Sequence, residues 1–173
     1  MLMQAQVYPH NLGEGKLYGV QENNVFYYLG CAFEILGEVG KAQEWFERAS
    51  TGLSEPTSAV FYNDQPPEMI FYQGLAHLKL NRADEARAIF DRLVNYGAAH
   101  MNDDIKLDYF AVSLPDFLVF DVDLNERHRL HCHYMMGLGY LGSSNLPEAK
   151  EHFDAVLAVD ANHLGATLHH RKV

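Results

Sequence analysis

Residues 26–49 read FYYLGCAFEILGEVGKAQEWFERA, and two altered copies of this stretch follow in the same chain. The second copy is IFYQGLAHLKLNRADEARAIFDRL (70–93), and the third is HYMMGLGYLGSSNLPEAKEHFDAV (133–156). Four columns hold in all three copies, and such self-similarity is the sequence signature of a repeat architecture. The columns are a glycine (Gly30, Gly74, Gly137), an aromatic residue or histidine three positions later (Phe33, His77, Tyr140), an alanine (Ala42, Ala86, Ala149) and a phenylalanine four positions after the alanine (Phe46, Phe90, Phe153).

The spacing of these columns is typical of a helical hairpin. Glycine and alanine occur where two antiparallel helices cross too closely for larger side chains, and aromatic rings fill the space on either side. Turn-forming residues fall between the two halves of each copy, at Gly37, at Asn81, and at Ser143 and Ser144, as a short connection between helices requires. We therefore expect three helical hairpins and an all-α fold.

The column pattern resembles the tetratricopeptide repeat over about 100 residues of this chain, whose total length is 173. The resemblance implies an all-α, right-handed α-α superhelix of tetratricopeptide-like hairpins with two non-repeat insertions. Some family positions are occupied differently here. Gln73 replaces the usual leucine, His77 replaces the tyrosine, and Ser54, Ala98 and Ala161 replace the closing proline.

The repeats do not abut at the usual period of about 34 residues, so additional segments must separate them. Because these segments are rich in aromatic residues, we expect them to pack on the helices, on the face that often binds ligands. The chain is interpreted as a single domain and as a fragment of a larger protein. Its predicted parts are the end of a preceding repeat (1–12), repeat 1 (22–54), an insertion (55–65), repeat 2 (66–98), a second insertion (99–125), repeat 3 (126–161) and a capping helix (162–173).

Two further phrases carry a more specific resemblance. The phrases are YPHNLGEGKLYG (8–19) and YFAVSLPDFLVFD (109–121), and they are similar to the carboxy-terminal repeat region of large bacterial proteins. In those proteins the tetratricopeptide repeats follow a long β-rich domain of unassigned function. The resemblance implies an accessory role in a carbohydrate-related protein, and it brings no catalytic residue with it.

The stretch HRLHCHYMMGLGYLG (128–142) places three histidines and a cysteine within six residues. His133 falls in the position that Phe26 holds in the first copy, so we expect it to face its own hairpin partner. The other two histidines and Cys132 would supply three ligands for zinc or copper, but a closed site requires a fourth donor, and the sequence indicates none. We therefore expect no metal and no cofactor.

The residues that precede this stretch begin like a calcium-binding loop, DVDLNERHRLHC (121–132). That loop requires a glycine where Glu126 stands and a bidentate glutamate where Cys132 stands, so calcium is not expected. Asp121, Asp123 and Asn125 are interpreted instead as the start signal of the following helix.

Charge and composition exclude several classes of function. The chain has 13 basic and 23 acidic residues and a formal charge of −10, so it repels nucleic acids and anionic membranes. No apolar run reaches the roughly 20 residues that span a bilayer. The two cysteines, Cys31 and Cys132, lie in apolar patterns and are interpreted as reduced thiols of a cytoplasmic protein. No serine or cysteine has the sequence context of a catalytic nucleophile, so we expect no enzyme activity.

In the repeat family the first helix of each hairpin lines a concave groove. The alignment of this chain with the family pattern therefore predicts which residues line the groove here. The predicted groove is aromatic and aliphatic and lacks the cations that pair with acidic peptide tails. We expect it to bind an apolar peptide or protein segment, or another domain of the same protein. A structural platform, a homodimer contact, and packing of these side chains beneath the insertions remain alternatives. The predicted lining is Tyr27, Cys31, Phe71, Leu75, Tyr134 and Leu138, bordered by Asn24, Tyr28, Glu68, Tyr72, His131 and Met135.

Overall fold

The computed structural model describes residues 3, 4, 7, 20–58, 66–105 and 123–173. These residues form α-helices and, within the same ranges, no β-strand. The prediction of an all-α fold is therefore confirmed for the described residues. The helices are α1 (Asn23–Ile35), α2 (Val39–Ala49), α3 (Pro67–Lys79), α4 (Ala83–His100), α5 (Leu124–Gly142), α6 (Leu146–Val159) and α7 (Leu164–His170).

The helices belong to two compact units. Unit 1 comprises Met1–Pro56 and Gln65–Arg92, and unit 2 comprises Thr57–Asp64 and Leu93–Val173. In unit 1 the helices α1 and α2 pack against each other, and both contact α3. In unit 2 the helix α6 packs against both α5 and α7. Helix α4 contributes residues to both units, because the boundary falls between Arg92 and Leu93.

A close contact between a glycine and a phenylalanine ring recurs in all three hairpins. A methyl group placed on Gly30 would lie 2.5 Å from Cε1 of Phe46, and one placed on Gly137 would lie 2.6 Å from Cε1 of Phe153. A methyl group on Gly74 would meet Phe90 in the same way. The alanines and phenylalanines of the repeated columns are also buried, with exposed fractions of at most 4%.

The turns between paired helices also share one geometry. Gly37, Asn81 and Ser144 stand seven residues after the column glycine of their own copy, and their φ angles are +77°, +59° and +61°. The next residue donates its backbone N–H to the carbonyl five positions earlier in each case, over 2.8–2.9 Å, which is the longer bond of a Schellman ending. The prediction that turn residues at these positions separate the paired helices is confirmed.

The start of α5 is capped by Asp123. Its carboxylate accepts hydrogen bonds from the backbone N–H groups of Asn125, at 2.9 Å, and Glu126, at 3.1 Å. These groups would otherwise lack partners at the first turn of the helix. The interpretation of this acidic stretch as a helix start signal is confirmed at Asp123, whereas Asp121 lies outside the described residues.

Polar side chains fix the ends of helices in unit 1. Asn23, at the start of α1, donates through Nδ2 to the carbonyl oxygens of Ala49, at 2.8 Å, and Thr51, at 2.7 Å, which lie at the end of α2. Gln73, which stands where the repeat family has leucine, is buried and donates to the carbonyl of Leu53 at 2.8 Å. The departure from the family pattern thus supplies a hydrogen bond to the segment that follows α2.

Several predicted boundaries lie partly outside the described residues. The predicted end of a preceding repeat is described only at residues 3, 4 and 7, and the two insertions only at 55–58, 99–105 and 123–125. Helix α4 runs to His100, two residues past the predicted end of the second repeat, and α7 lies within the predicted capping segment.

Two helical glycines provide a direct test of the hairpin contact. Gly30→Ala should lower the free energy of unfolding by about 1–3 kcal/mol, because the added methyl group collides with Phe46. Gly40→Ala is the matched control, since nothing lies within 4 Å of its added methyl group; it should leave stability unchanged or raise it by up to about 1 kcal/mol. Urea unfolding, monitored by circular dichroism, measures the free energy of unfolding of each variant. Equal effects of the two variants would contradict the assigned contact.

His77 should make the stability of the chain depend on pH. Burial lowers the pKa of its imidazole, and the neighbouring Arg82 lowers it further. The unfolded chain therefore takes up a proton first as the pH falls through the ordinary histidine value of 6.5, so stability present above that pH is lost below it. His77→Phe, which copies Phe33 of the first hairpin, should reduce this loss between pH 7.5 and 5 in urea titrations. An unchanged pH dependence would show that His77 does not contribute.

Candidate functional site

The predicted groove residues divide into a buried and an accessible set. Buried residues cannot contact a ligand without rearrangement, so only the accessible set offers a surface to a partner. The buried residues are Phe71, Tyr72, Tyr134, Leu138 and Met135, and the accessible or half-buried residues are Asn24, Tyr27, Tyr28, Cys31, Glu68, Leu75 and His131. The use of any of them in binding stays a prediction.

Unit 1 contains a tyrosine cluster formed by Tyr27 and Tyr28 of α1 and Tyr72 of α3. The ring centroids lie 5.4–5.7 Å apart in all three pairs, which is the distance range of favourable aromatic contacts. The hydroxyl groups of Tyr28 and Tyr72 share a hydrogen bond of 2.9 Å. Tyr72 is buried while Tyr28 keeps 42% of its surface exposed, so the cluster joins the core of the unit to its surface.

Burial acts on two phenols of this cluster and on the neighbouring thiol of Cys31. Burial raises the pKa of the Tyr27 and Tyr72 phenols above the ordinary value of 10.0. Burial also raises the pKa of the Cys31 thiol, and this effect outweighs the lowering by its hydrogen bond with Tyr27. A thiol with a raised pKa is a poor nucleophile near neutral pH. These shifts keep Tyr27, Tyr72 and Cys31 protonated near neutral pH.

A cavity of about 270 Å³ lies elsewhere in unit 1, near the turn that joins α1 to α2 and the end of α3. Lys79 and Glu34 form an ion pair of 2.5 Å there. Ile35, Leu36 and Val39 next to this turn are exposed by 85%, 70% and 72%. This apolar turn, defined by Ile35, Leu36 and Val39, was not among the predicted binding residues.

A second cavity, of about 350 Å³, lies in unit 2 and is lined by Ser58, Arg127, Leu130, His131, Asp160 and His163. Nε2 of His131 donates to the carbonyl oxygen of Thr57 at 2.8 Å, and this bond holds the segment at Thr57 and Ser58 against α5. Nδ1 of His163 accepts from the backbone N–H of Ala166 at 3.0 Å. His131, predicted at the border of the groove, thus contacts the start of the first predicted insertion.

The three clustered histidines of α5 face three different partners. Nε2 of His128 donates to the carbonyl of His100 at 2.8 Å, His131 bonds Thr57, and Nδ1 of His133 lies 2.9 Å from Nδ1 of His152. Cys132 is buried, and burial raises the pKa of its thiol to about 11. Within the part of the chain that the structure describes, no three His, Cys, Asp or Glu side chains are grouped as metal ligands.

Sequence reasoning missed the contact between His133 and His152. The prediction that His133 faces its own hairpin partner is confirmed, because His152 lies on α6, but the partner was not identified. Burial lowers the pKa of both imidazoles, and the charge of a protonated His133 lowers that of His152 further. The signal was present in the alignment of the three copies, which places His152 in register with Trp45 and Ile89.

No protein-family model matches this chain, and a search of solved structures finds no significant match. Among the described helices, none combines the length and the apolar character needed to cross a bilayer.

Two residues of α3 test which predicted groove positions belong to the core. Phe71→Ala should lower the free energy of unfolding by about 3–5 kcal/mol, because its ring is 1% exposed and packs 6.0 Å from that of Phe90. Leu75→Ala, one turn further along the same helix, should lower the free energy of unfolding by clearly less, because Leu75 is only half-buried. Guanidinium unfolding measures both. Similar small losses for the two variants would mean that Phe71 lines an open groove.

Proposed function

We propose that the chain is a tetratricopeptide-type interaction module that binds a protein or peptide segment and catalyses no reaction. The support is the threefold recurrence of one hairpin construction, with the same glycine–phenylalanine contact and a positive φ angle at the same turn position. Hairpins that repeat in tandem stack on their neighbours and create extended binding surfaces. A right-handed superhelix with a concave groove is part of this proposal, as is residence in the cytoplasm with both free cysteines reduced.

The observation that carries the binding role is the partial exposure of the tyrosine cluster. Tyr28 exposes 42% of its surface while its hydroxyl is held by Tyr72, so the ring is presented in a fixed position. Tyrosine is enriched at protein interfaces because a rigid ring buries much area for little conformational entropy. Half-buried Cys31 and Leu75 add apolar surface from α1 and α3. We infer that the ligand is an apolar or aromatic peptide segment.

The neutral state of the nearby ionisable groups supports a non-catalytic role. General acid or base catalysis requires a group with a pKa near the working pH, whereas burial raises those of Tyr27, Tyr72 and Cys31. A partner contact requires only shape and apolar area, which this surface provides.

A second candidate function is a structural contact, either with another domain of the same protein or between two copies of this chain. The apolar turn favours it, since three large aliphatic side chains are 70–85% exposed there. Exposed apolar residues that cluster in this way mark interaction sites in many proteins. A role beside a carbohydrate-acting domain would be one form of this second candidate.

Peptide selection tests the first candidate. A displayed library of random peptides is selected on the full chain, and the dissociation constant of the enriched peptide is measured by fluorescence anisotropy. Tyr28→Ala should weaken binding at least about tenfold, as expected for an aromatic interface residue. Leu164→Ala is the matched control because Leu164 is 70% exposed but lies in unit 2, and it should not change the affinity. Equal affinity for Tyr28→Ala and the wild type would refute the assigned surface.

Sedimentation velocity separates the two candidates. A monomer whose peptide binding depends on Tyr28 supports recruitment of a partner. A dimer that Leu36→Glu converts to monomer, with no selectable peptide, would instead establish the apolar turn as a contact between copies.

A further inference from the structure

One pair of positions changes its chemistry completely between the three hairpins. Counted from the column glycine, the residue four positions before it and the residue fifteen positions after it are Phe26 and Trp45 in the first copy. They are Ile70 and Ile89 in the second copy and His133 and His152 in the third. The first pair makes a ring contact of 5.7 Å, and both members of the second pair are buried. The hairpin therefore forms with apolar residues at these positions and does not need histidine there.

The two imidazoles of the third hairpin point their Nδ1 atoms at each other. These atoms are 2.9 Å apart, and the ring of Tyr140 stacks on His152 with centroids 5.5 Å apart and an interplanar angle of 5°. His133 lies on α5 and His152 on α6. The close packing of Gly137 against Phe153 holds these helices together. Both rings are thus fixed by elements of the fold.

The spacing of the two Nδ1 atoms is close to what one metal ion requires. Zinc binds imidazole nitrogen at about 2.0–2.1 Å, so two ligands at a tetrahedral angle are separated by about 3.3 Å. The observed distance of 2.9 Å between the two Nδ1 atoms must increase only slightly, and rotation of the two side chains can supply this increase. In the neutral pair, one Nδ1 carries the shared proton and the other accepts it. Metal binding requires that this proton move to Nε2 of the same ring.

The surroundings permit this change of tautomer. In the described structure, neither Nε2 atom of the pair is among the buried polar atoms without a partner, so a proton on Nε2 would meet solvent or a hydrogen-bond acceptor. Both rings are half-buried, so water can reach the pair and complete the coordination of a bound ion. The carboxylate of Glu151 exerts a favourable charge effect on both histidines and would do the same for a bound cation.

We propose that His133 and His152 form a binding site for a divalent transition-metal ion such as Zn²⁺ or Cu²⁺, coordinated by the two Nδ1 atoms. Imidazole is a preferred ligand of these ions. Because no third protein ligand is grouped with the pair among the described residues, water or a ligand from a binding partner completes the coordination. The site differs from the His128–His131–Cys132 combination considered from the sequence. There His128 lies 3.5 Å from Sγ of Cys132 and bonds the carbonyl of His100, while His131 bonds Thr57.

Thermal unfolding of the untagged, chelator-treated full chain tests the proposal. Micromolar ZnCl₂ should raise the Tm of the wild type, because an ion that binds only the folded state stabilises it. His133→Ile/His152→Ile, which copies the second hairpin, should fold without this Zn²⁺-dependent rise. His133→Phe/His152→Trp copies the first hairpin. It replaces the Ile/Ile variant as the one without metal ligands if the Ile/Ile variant folds poorly. His131→Ala keeps the pair and removes a neighbouring histidine, so its response should equal that of the wild type.

Electron paramagnetic resonance of the Cu²⁺-loaded chain identifies the ligands independently. The wild type should bind one Cu²⁺ with hyperfine coupling to two imidazole nitrogens, and the Ile/Ile variant should lack this signal. A Tm rise of the same size in both double variants, or an absence of saturable binding at millimolar metal, would overturn the proposal.

Discussion

A missing side-chain atom determines how each helical hairpin of this protein closes. Gly30, Gly74 and Gly137 let the ring of a phenylalanine lie where a β-carbon would otherwise stand. The ring gains dispersion contacts on the face that meets the helix backbone, and such contacts are lost quickly when surfaces separate. Because the glycine and the phenylalanine lie on opposite helices, this contact sets both the distance and the register of the pair. The buried alanines continue the same close approach.

The turns show that one backbone geometry can be reached with different chemistry. Glycine adopts a positive φ without steric cost, and asparagine tolerates it better than most residues. Serine at position 144 has neither advantage, yet it takes φ +61° because the helices on both sides require it. The intrinsic preference of the turn residue for a positive φ angle is strongest in the first copy and weakest in the third. In the third copy the hairpin contact must therefore hold the turn in place.

The sequence predicted the helical hairpins, their turns and the start of α5, because these depend on spacings within about 25 residues. It did not predict which groove positions are accessible. Phe71 and Leu75 occupy equivalent registers on α3, but only Phe71 is fully enclosed, since enclosure depends on neighbours distant in the chain. The contact of His131 with Thr57 spans 74 residues and has no local signal. The pairing of His133 with His152 could have been found, because the aligned copies place these histidines in register with Phe26 and Trp45, whose rings are in contact in the first copy.

The threefold register has a consequence for how such a chain can acquire new properties. The residues that close the hairpin are kept in every copy. One pair of positions instead accepts different side chains: aromatic at 26 and 45, aliphatic at 70 and 89, and imidazole at 133 and 152. A duplicated unit therefore contains a place where mutation can alter chemistry while the architecture survives. Tandem duplication followed by divergence at that place would let one copy gain a ligand while its sisters keep the scaffold intact.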